Sequence, residues 1–369
     1  MRVLVTGHRG YLGSVLTGVL RHARHEVIGL DCDWYAGCDF GRVREEVPCF
    51  DTDLRDVESV DLLSFDAVIH LASLPDDGAG TLDPELTEQI NFEATMRLVA
   101  CCKQAKISRF LFASSCAVYG RGGNDLLDEQ SLVEPMTQYA SAKLRCEREI
   151  ARLADSGFAP VFLRNATLYG VSPRIRLDIV VNDFVGAAVT TGRIAVKTAG
   201  QAWRPLLHVE DAARACAAIL RAPDKVVHNQ VFNVVQNDEN HRVIEVADAV
   251  AELVPHCTRT TTSNVFDDRS YRVDGSKLAH TFPKFRFRWT LQRGIRQLYH
   301  AMLGAGLTPG DWRSDRYRRL LRLQSLLERG PTDLELHKPS IHECSRPAEP
   351  IREPSSPRRA ALALSSESA

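Results

Sequence analysis

The stretch MRVLVTGHRGYLG, residues 1–13, decides how the rest of the chain reads. An apolar run, Val3–Val5, leads straight into Gly7, Gly10 and Gly13, and a helix-patterned segment, Ser14 to Arg24, follows. This order predicts a strand, a tight turn and a helix, with the turn shaped to hold a phosphate. Gly7 allows the sharp turn off the strand, Gly10 lets backbone approach a pyrophosphate, and Gly13 lets the helix pack close to the strand. The first N–H groups of the helix then present a partial positive charge to the phosphates. Glycines alone would also suit a flexible loop. Context decides otherwise, because a second apolar run, Val27–Leu30, ends in Asp31. A carboxylate at that spacing takes the ribose hydroxyls of an adenine dinucleotide and repels a 2′-phosphate, which favours NAD over NADP. Arg9, a basic residue in the turn, argues the other way, and Asp31 carries more weight.

The chain has 369 residues, enough for a large core or two domains. Apolar residues make up 44% and charged residues 25%, as in an ordinary globular protein, and the formal net charge is −1. No global basic field recommends nucleic acid, and no apolar run has the length of a membrane span. The N-terminus reads as a core strand rather than a signal peptide, so the expected location is cytoplasmic. Ten cysteines are scattered without a Cys-x-x-Cys pair, which gives a metal no ligand framework.

From residue 1 to about 115, strand and helix patterns alternate, the signature of a parallel sheet covered on both faces. The strands expected are Val3–Val5, Val27–Leu30, Val47–Phe50, Ala67–Leu71 and Phe110–Ala113, with a long, mostly helical segment from Pro84 to Lys106. Right-handed crossovers put all strand C-termini on one edge, where the cofactor should lie. Asp53-Leu54, after the third strand, suits either an adenine contact or a helix N-cap. Leu71, Ala72 and Ser73 end the fourth strand with small residues that let backbone face the phosphates. His70 beside them reads as a core histidine.

Tyr139 and Lys143 stand four apart on a helix-patterned stretch, Thr137 to Leu153, which stacks them on one face. An ammonium beside a phenol favours phenolate, so Tyr139 can act as a base at a sugar hydroxyl. A serine from the preceding strand end, in Phe112-Ala-Ser-Ser-Cys-Ala-Val-Tyr-Gly120, would bond the same substrate oxygen. Tyr-x-x-x-Lys is common by chance on a solvated helix face. The glycines and the serine strand lift it above that background.

Together these motifs resemble the extended short-chain dehydrogenase/reductases, in the NAD-dependent nucleotide-sugar epimerase/dehydratase group. The residues carrying the resemblance are Thr6-Gly-x-x-Gly-x-x-Gly13, Asp31, Asp53-Leu54, His70-Leu-Ala72, Asn91-x-x-x-Thr95, Ser114–Gly120, Tyr139-x-x-x-Lys143, Leu163-Arg164 with Tyr169-Gly170, and His208-Val-Glu-Asp211, over residues 1 to roughly 300. The implied fold class is α/β: a Rossmann-type doubly wound parallel sheet with a smaller mixed α/β substrate-binding cap. The resemblance implies Ser115, Tyr139 and Lys143 as the catalytic residues. It implies NAD contacts from the turn (Gly7, Arg9, Gly10, Tyr11, Leu12, Gly13), from the second and third strand ends (Asp31, Asp53, Leu54) and from Leu71, Ala72 and Ser73. Asn91, Ala166, Tyr139 and Lys143 complete that set. Arg204, in Arg-Pro-Leu-Leu-His-Val-Glu-Asp211, and Arg269 match arginines that approach the substrate's nucleotide diphosphate, as guanidinium chemistry suits.

Two departures from the family pattern narrow the chemistry. The Asp-Glu pair that follows the catalytic residue in the 4,6-dehydratases is replaced by Cys116 and Ala117, which argues against water elimination. Thr167 stands where the substrate-binding Asn is usual, and Asn165 falls two places earlier. The expected organisation is a Rossmann domain over 1–165, rejoined by segments near 200–240, a cap mainly over 166–310, a C-terminal helix over 311–330 docked on its own domain or a partner subunit, and a tail at 340–369 too polar to pack. The first reading of function is an NAD-dependent epimerase of a nucleotide-linked sugar, inverting C4. The second is a reductase, dehydrogenase or decarboxylase on such a sugar or a related polyol. From a different class comes a non-catalytic dinucleotide sensor or partner-binding member. The resemblance further implies a homodimer through Pro84–Lys106 and Thr137–Leu153, with no nucleic-acid or membrane partner.

Overall fold

Every apolar run expected in the first 115 residues forms a strand of one sheet. The computed structural model describes residues 1–41, 46–74, 82–261 and 267–328, so the expected tail at 340–369 lies outside the described residues. The sheet has seven strands in the order Gln230–Val234, Ala159–Asn165, Arg109–Ser115, Ala67–His70, Arg2–Thr6, Glu26–Asp31 and Cys49–Asp51. All neighbours pair in parallel. The central strands are apolar on both faces because helices cover both sides. Val3, Val5, Ile69, Leu111 and Val161 pack toward one cluster, with Leu16 and Leu20 of the helix Gly13–His22 and with Ala213, Cys216 and Leu220 of the helix Val209–Leu220. Leu4, Val68, Phe110, Phe112 and Phe162 pack toward the other, with Leu98 and Cys102 of the helix Ala94–Gln104 and Cys146 and Ile150 of the helix Gln138–Arg152. Strand order reverses between Arg2–Thr6 and Ala67–His70, which opens a crevice at their C-terminal edge.

The structure sharpens three expectations. The segment expected to be mostly helical from Pro84 to Lys106 divides into a short helix, Pro84–Glu88, a π-helical turn, Gln89–Glu93, and then Ala94–Gln104. The widened turn is held by side chains that reach the Asn91 carbonyl: Thr95 Oγ1 at 3.0 Å and Cys146 Sγ at 3.2 Å. The single C-terminal helix expected over 311–330 is two helices, Pro309–Arg313 and Arg319–Glu328, interrupted where Ser314 is extended. Of the segments expected to rejoin the Rossmann domain near 200–240, the helix Val209–Leu220 packs on the large sheet and the strand Gln230–Val234 pairs within it. Trp203–His208 instead lies between Thr167–Tyr169 and Asn240–Arg242 in a separate three-stranded sheet.

The helices Val180–Thr191, Val243–Leu253 and Leu291–Gly304 form a third apolar cluster around Val181, Val185, Val250, Ile295 and Leu298. Two smaller pairings join early and late sequence. Arg121–Leu127 pairs with Ser270–Val273, and Arg193–Val196 with Thr258–Thr261. Among the described residues, no helix is long and apolar enough to cross a membrane.

Candidate active site

A cleft of about 430 Å³ runs along the C-terminal edge of the large sheet. It gathers every site residue expected from the sequence except Asn91. Its floor is the glycine turn, where backbone geometry rather than flexibility selects glycine. Gly7 has φ +71°, and a Cβ there would stand 2.7 Å from Ala72 N. A Cβ on Gly13 would stand 2.2 Å from Gly7 O. Both approaches exclude any side chain, and they leave a concave backbone surface at the start of the helix Gly13–His22 that suits a pyrophosphate.

Acidic residues surround the turn. Asp31 accepts hydrogen bonds from Arg9 N and Asp33 N, both at 2.9 Å. The Arg9 guanidinium, which on sequence grounds argued for NADP, is paired with the Asp51 carboxylate, lies 3.9 Å from Asp33 and donates to Cys49 Sγ. With Asp31, Asp33 and Asp51 around it, this corner disfavours a 2′-phosphate and fits the plain ribose of NAD. Asp53 is the N-cap that one of its sequence readings expected, accepting from Arg55 N at 2.8 Å ahead of the turn Leu54–Asp56, and it also lines the cleft.

Asn91 stands behind the wall instead of on it. It is 1% exposed, accepts from Leu74 N at 2.7 Å and from Ser73 Oγ at 3.1 Å, and donates to Leu74 O at 3.0 Å. Its part is to hold the strip Leu71–Leu74 against the cleft. His70 bridges Thr6 Oγ1 at 2.7 Å and Thr95 Oγ1 at 2.9 Å, and burial pushes its pKa well below the usual value. It is a neutral, satisfied core histidine.

Ser115, Tyr139 and Lys143 all line the cleft. Ser115 ends its strand and accepts from Ala117 N at 3.1 Å, which leaves its hydroxyl proton free to be offered to a ligand. The helix Gln138–Arg152 starts at Thr137, whose Oγ1 accepts from Ala140 N, so Tyr139 sits in the first turn at the cleft. Lys143, one turn on, is 2% exposed, with Nζ 4.8 Å from the Phe112 ring centroid and 5.7 Å from that of Tyr139. Burial pushes its ammonium down to about 8.

Sequence reasoning missed what fixes this helix. Glu147, one turn beyond Lys143, receives Arg164 Nη2 at 2.8 Å and Nε at 3.1 Å, and also the Ser114 hydroxyl. Arg164 reaches on to Tyr119 Oη at 3.0 Å. The Glu147–Arg164 pair is buried on both sides and, with the Ser114 hydroxyl, ties the helix to the strands Arg109–Ser115 and Ala159–Asn165. The sequence held one signal for it: Glu147 repeats the i, i+4 step of Tyr139 and Lys143 on one helix face.

At the other end, Arg204 and Arg269 converge on one carboxylate. Arg204 Nη2 lies 2.7 Å from Asp267 Oδ2, and Arg269 Nε lies 3.0 Å from Asp267 Oδ1. Although burial opposes it, the two guanidiniums hold the Asp267 carboxyl below its usual range. Asp267 thus occupies the place an anionic ligand would compete for. Thr167 and Asn165 also line the cleft.

Comparison with known proteins agrees with this geometry. A Bacillus subtilis (strain 168) protein, "Uncharacterized UDP-glucose epimerase YtcB", is 28% identical over 238 residues, which cover 60% of this chain and 73% of that protein. The UDP-glucose 4-epimerase of Streptomyces lividans is 27% identical over 271 residues, covering 69% and 82%. Among solved structures, the UDP-glucose 4-epimerase of Thermus thermophilus in complex with NAD superposes with a TM-score of 0.72 at 27% identity, covering 83% of this chain and all of that one. The model of the NAD dependent epimerase/dehydratase family matches residues 3–234, more than half of the sequence, and the chain belongs to that family.

Proposed function

We propose that the protein is an NAD-dependent epimerase of a nucleotide-linked sugar, inverting C4 through a transient keto-sugar. The observation that carries this is the placement of Tyr139 over buried Lys143, in one cleft with Ser115 and the glycine turn. When bound there, NAD supplies the acceptor and then the donor of a hydride. Lys143 favours the phenolate of Tyr139, which takes the proton of the sugar hydroxyl. Ser115 donates to the same oxygen and orients it. Arg204 and Arg269 exchange Asp267 for the nucleotide diphosphate, and this grip holds the sugar in the cleft while its ring turns over. Tyr139 returns the proton to the opposite epimer.

Water elimination is disfavoured by the strand end. Cys116 is buried, points its thiol at Arg164 O at 3.2 Å and has its pKa raised by that burial, and Ala117 carries no proton. The test is to incubate purified protein with a panel of nucleotide sugars and catalytic NAD. The expected result is an equilibrium mixture of epimers with no net NADH. Stoichiometric NADH or loss of carbon dioxide would overturn it in favour of a dehydrogenase or decarboxylase. Full biological activity of Tyr139→Phe would instead point to a non-catalytic binding role. Pairing of two subunits through Ala94–Gln104 and Gln138–Arg152 belongs to the same proposal, and a monomer mass by light scattering would remove it.

A further inference from the structure

The helix Arg319–Glu328 packs beside the cleft and lines it with its first residue, and the family model, which ends at residue 234, does not include it. Leu323 and Leu326 are buried in a cluster with Trp34, on the segment after Asp31, and with Leu74, Leu86 and Ile90, on the facing wall. The helix therefore ties the two walls together. Polar contacts fix its approach: Arg319 N donates to Asp178 Oδ2 at 2.8 Å, and Leu177 N donates to Tyr317 O at 2.7 Å.

Arg319 lines the cleft from this helix and is 3% exposed. Its guanidinium lies over the Tyr35 ring, 4.0 Å from the centroid, and Nη2 donates to Arg174 O at 3.2 Å. Nη1 is buried and has no hydrogen-bond partner among the described residues. Neighbouring cations are matched: Arg174 pairs with Asp33 and Asp39, and Arg176 with Asp178. Among the described residues, Arg319 makes no ion pair. Asp178, which accepts from Arg319 N, attracts the guanidinium without pairing with it, so the buried cation is only partly compensated, and an anion that arrives with a ligand offsets the remaining cost. Arg319 and Tyr35 stand on the Asp31 side of the cleft, whereas Arg204 and Arg269 stand at the other end.

We propose that Arg319–Glu328 is a strap over the dinucleotide end of the cleft, and that Arg319 is a ligand for the anionic diphosphate of the bound dinucleotide. This rests on the cleft's taking NAD. The strap then gives an enzyme that reuses its cofactor a reason to keep it: release requires separating Leu323 and Leu326 from both walls as well as breaking the Arg319 contact.

The experiment uses the full chain stripped of nucleotide, with Arg319→Met and Arg319→Lys beside the parent. NAD and UDP affinities are measured by calorimetry, and the thermal midpoint is measured without ligand. Arg319→Met is expected to weaken NAD by about tenfold or more, as loss of a charged hydrogen bond does. UDP binding should be unchanged, and the ligand-free midpoint unchanged or raised, because an unmatched buried charge has been removed. Arg319→Lys should fall between, and it carries the test should the Met variant fail to fold. NAD affinity within twofold of the parent overturns the inference, as does a lowered ligand-free midpoint with NAD affinity intact, which marks a structural anchor. Equal weakening of UDP also overturns it, by placing Arg319 at the substrate end. A parent protein that binds no NAD instead breaks the reading of the cleft itself.

Discussion

The two ends of the substrate path handle positive charge in opposite ways. At the chemical end, Lys143 is buried against the rings of Phe112 and Tyr139, and burial has already pushed its ammonium down. At the nucleotide end, Arg204 and Arg269 are closed on Asp267. The first cation is costly to bury and is held in place by packing and by the Glu147–Arg164 clamp, and in the proposed function it supports the Tyr139 phenolate. The second pair is already neutralised and must exchange one anion for another. A site built for chemistry keeps its charge unmatched in a dry setting, where it acts strongly on the group beside it. At the Arg204–Arg269 end the charges stay partly exposed and paired until a ligand arrives, unlike the buried Arg319.

Removal of the phenol tests the contrast most severely. Tyr139→Phe should lower kcat by about 10²- to 10⁴-fold, the usual worth of a general acid–base, with substrate affinity retained. At the other end, Arg204→Ala and Arg269→Ala should each raise KM by roughly tenfold or more while kcat changes little, because each loses a charged contact present in ground and transition state alike. The opposite pattern at either end, seen in steady-state kinetics, would erase the distinction.

The pH response should single out the chemical end. With Lys143 titrating near 8, kcat/KM should fall above that pH, by about tenfold per unit, as the ammonium is lost. Stability moves the other way. Burial disfavours the charged form, so between about 8 and the ordinary value of 10.5 the unfolded chain holds a proton the native protein has shed, and the ligand-free protein gains stability as pH rises through that window. Thermal midpoints against pH should show this slope in the parent and lose it in Lys143→Met. The smallest effect is expected at Asp267→Asn. Removing the resident anion should tighten substrate binding by about two- to fivefold, in line with the modest worth of a partly exposed ion pair. A weaker substrate affinity in that variant would mean that Asp267 holds the arginines in place for the ligand.

Much of the catalytic end was legible in the sequence because it is local. Gly7, Gly10 and Gly13 sit at a spacing a strand–turn–helix dictates, and Tyr139 and Lys143 at one that a helix stacks. The expected place of the dinucleotide followed from crossover handedness, which puts all strand C-termini on one edge. Asn91 was misplaced because its motif says that it belongs to the site, but not on which side of the wall its amide lies. The helix break at Gln89–Glu93 was hidden for a similar reason: its apolar spacing is helical throughout, and only contacts from Thr95 and Cys146 reveal the wider turn.

The sequence by itself determined the parallel sheet, the phosphate-binding turn, the preference for NAD and the Tyr139–Lys143 pair, since each depends on the fixed periods of strands and helices. Tertiary structure decided the rest: that Arg164 clamps Glu147, that Asp267 holds Arg204 and Arg269, and that Arg319 returns from late in the chain to stand beside Tyr35. Those partnerships join segments that no period relates. A charge's partner is set by which surfaces pack together, and packing is a property of the folded whole.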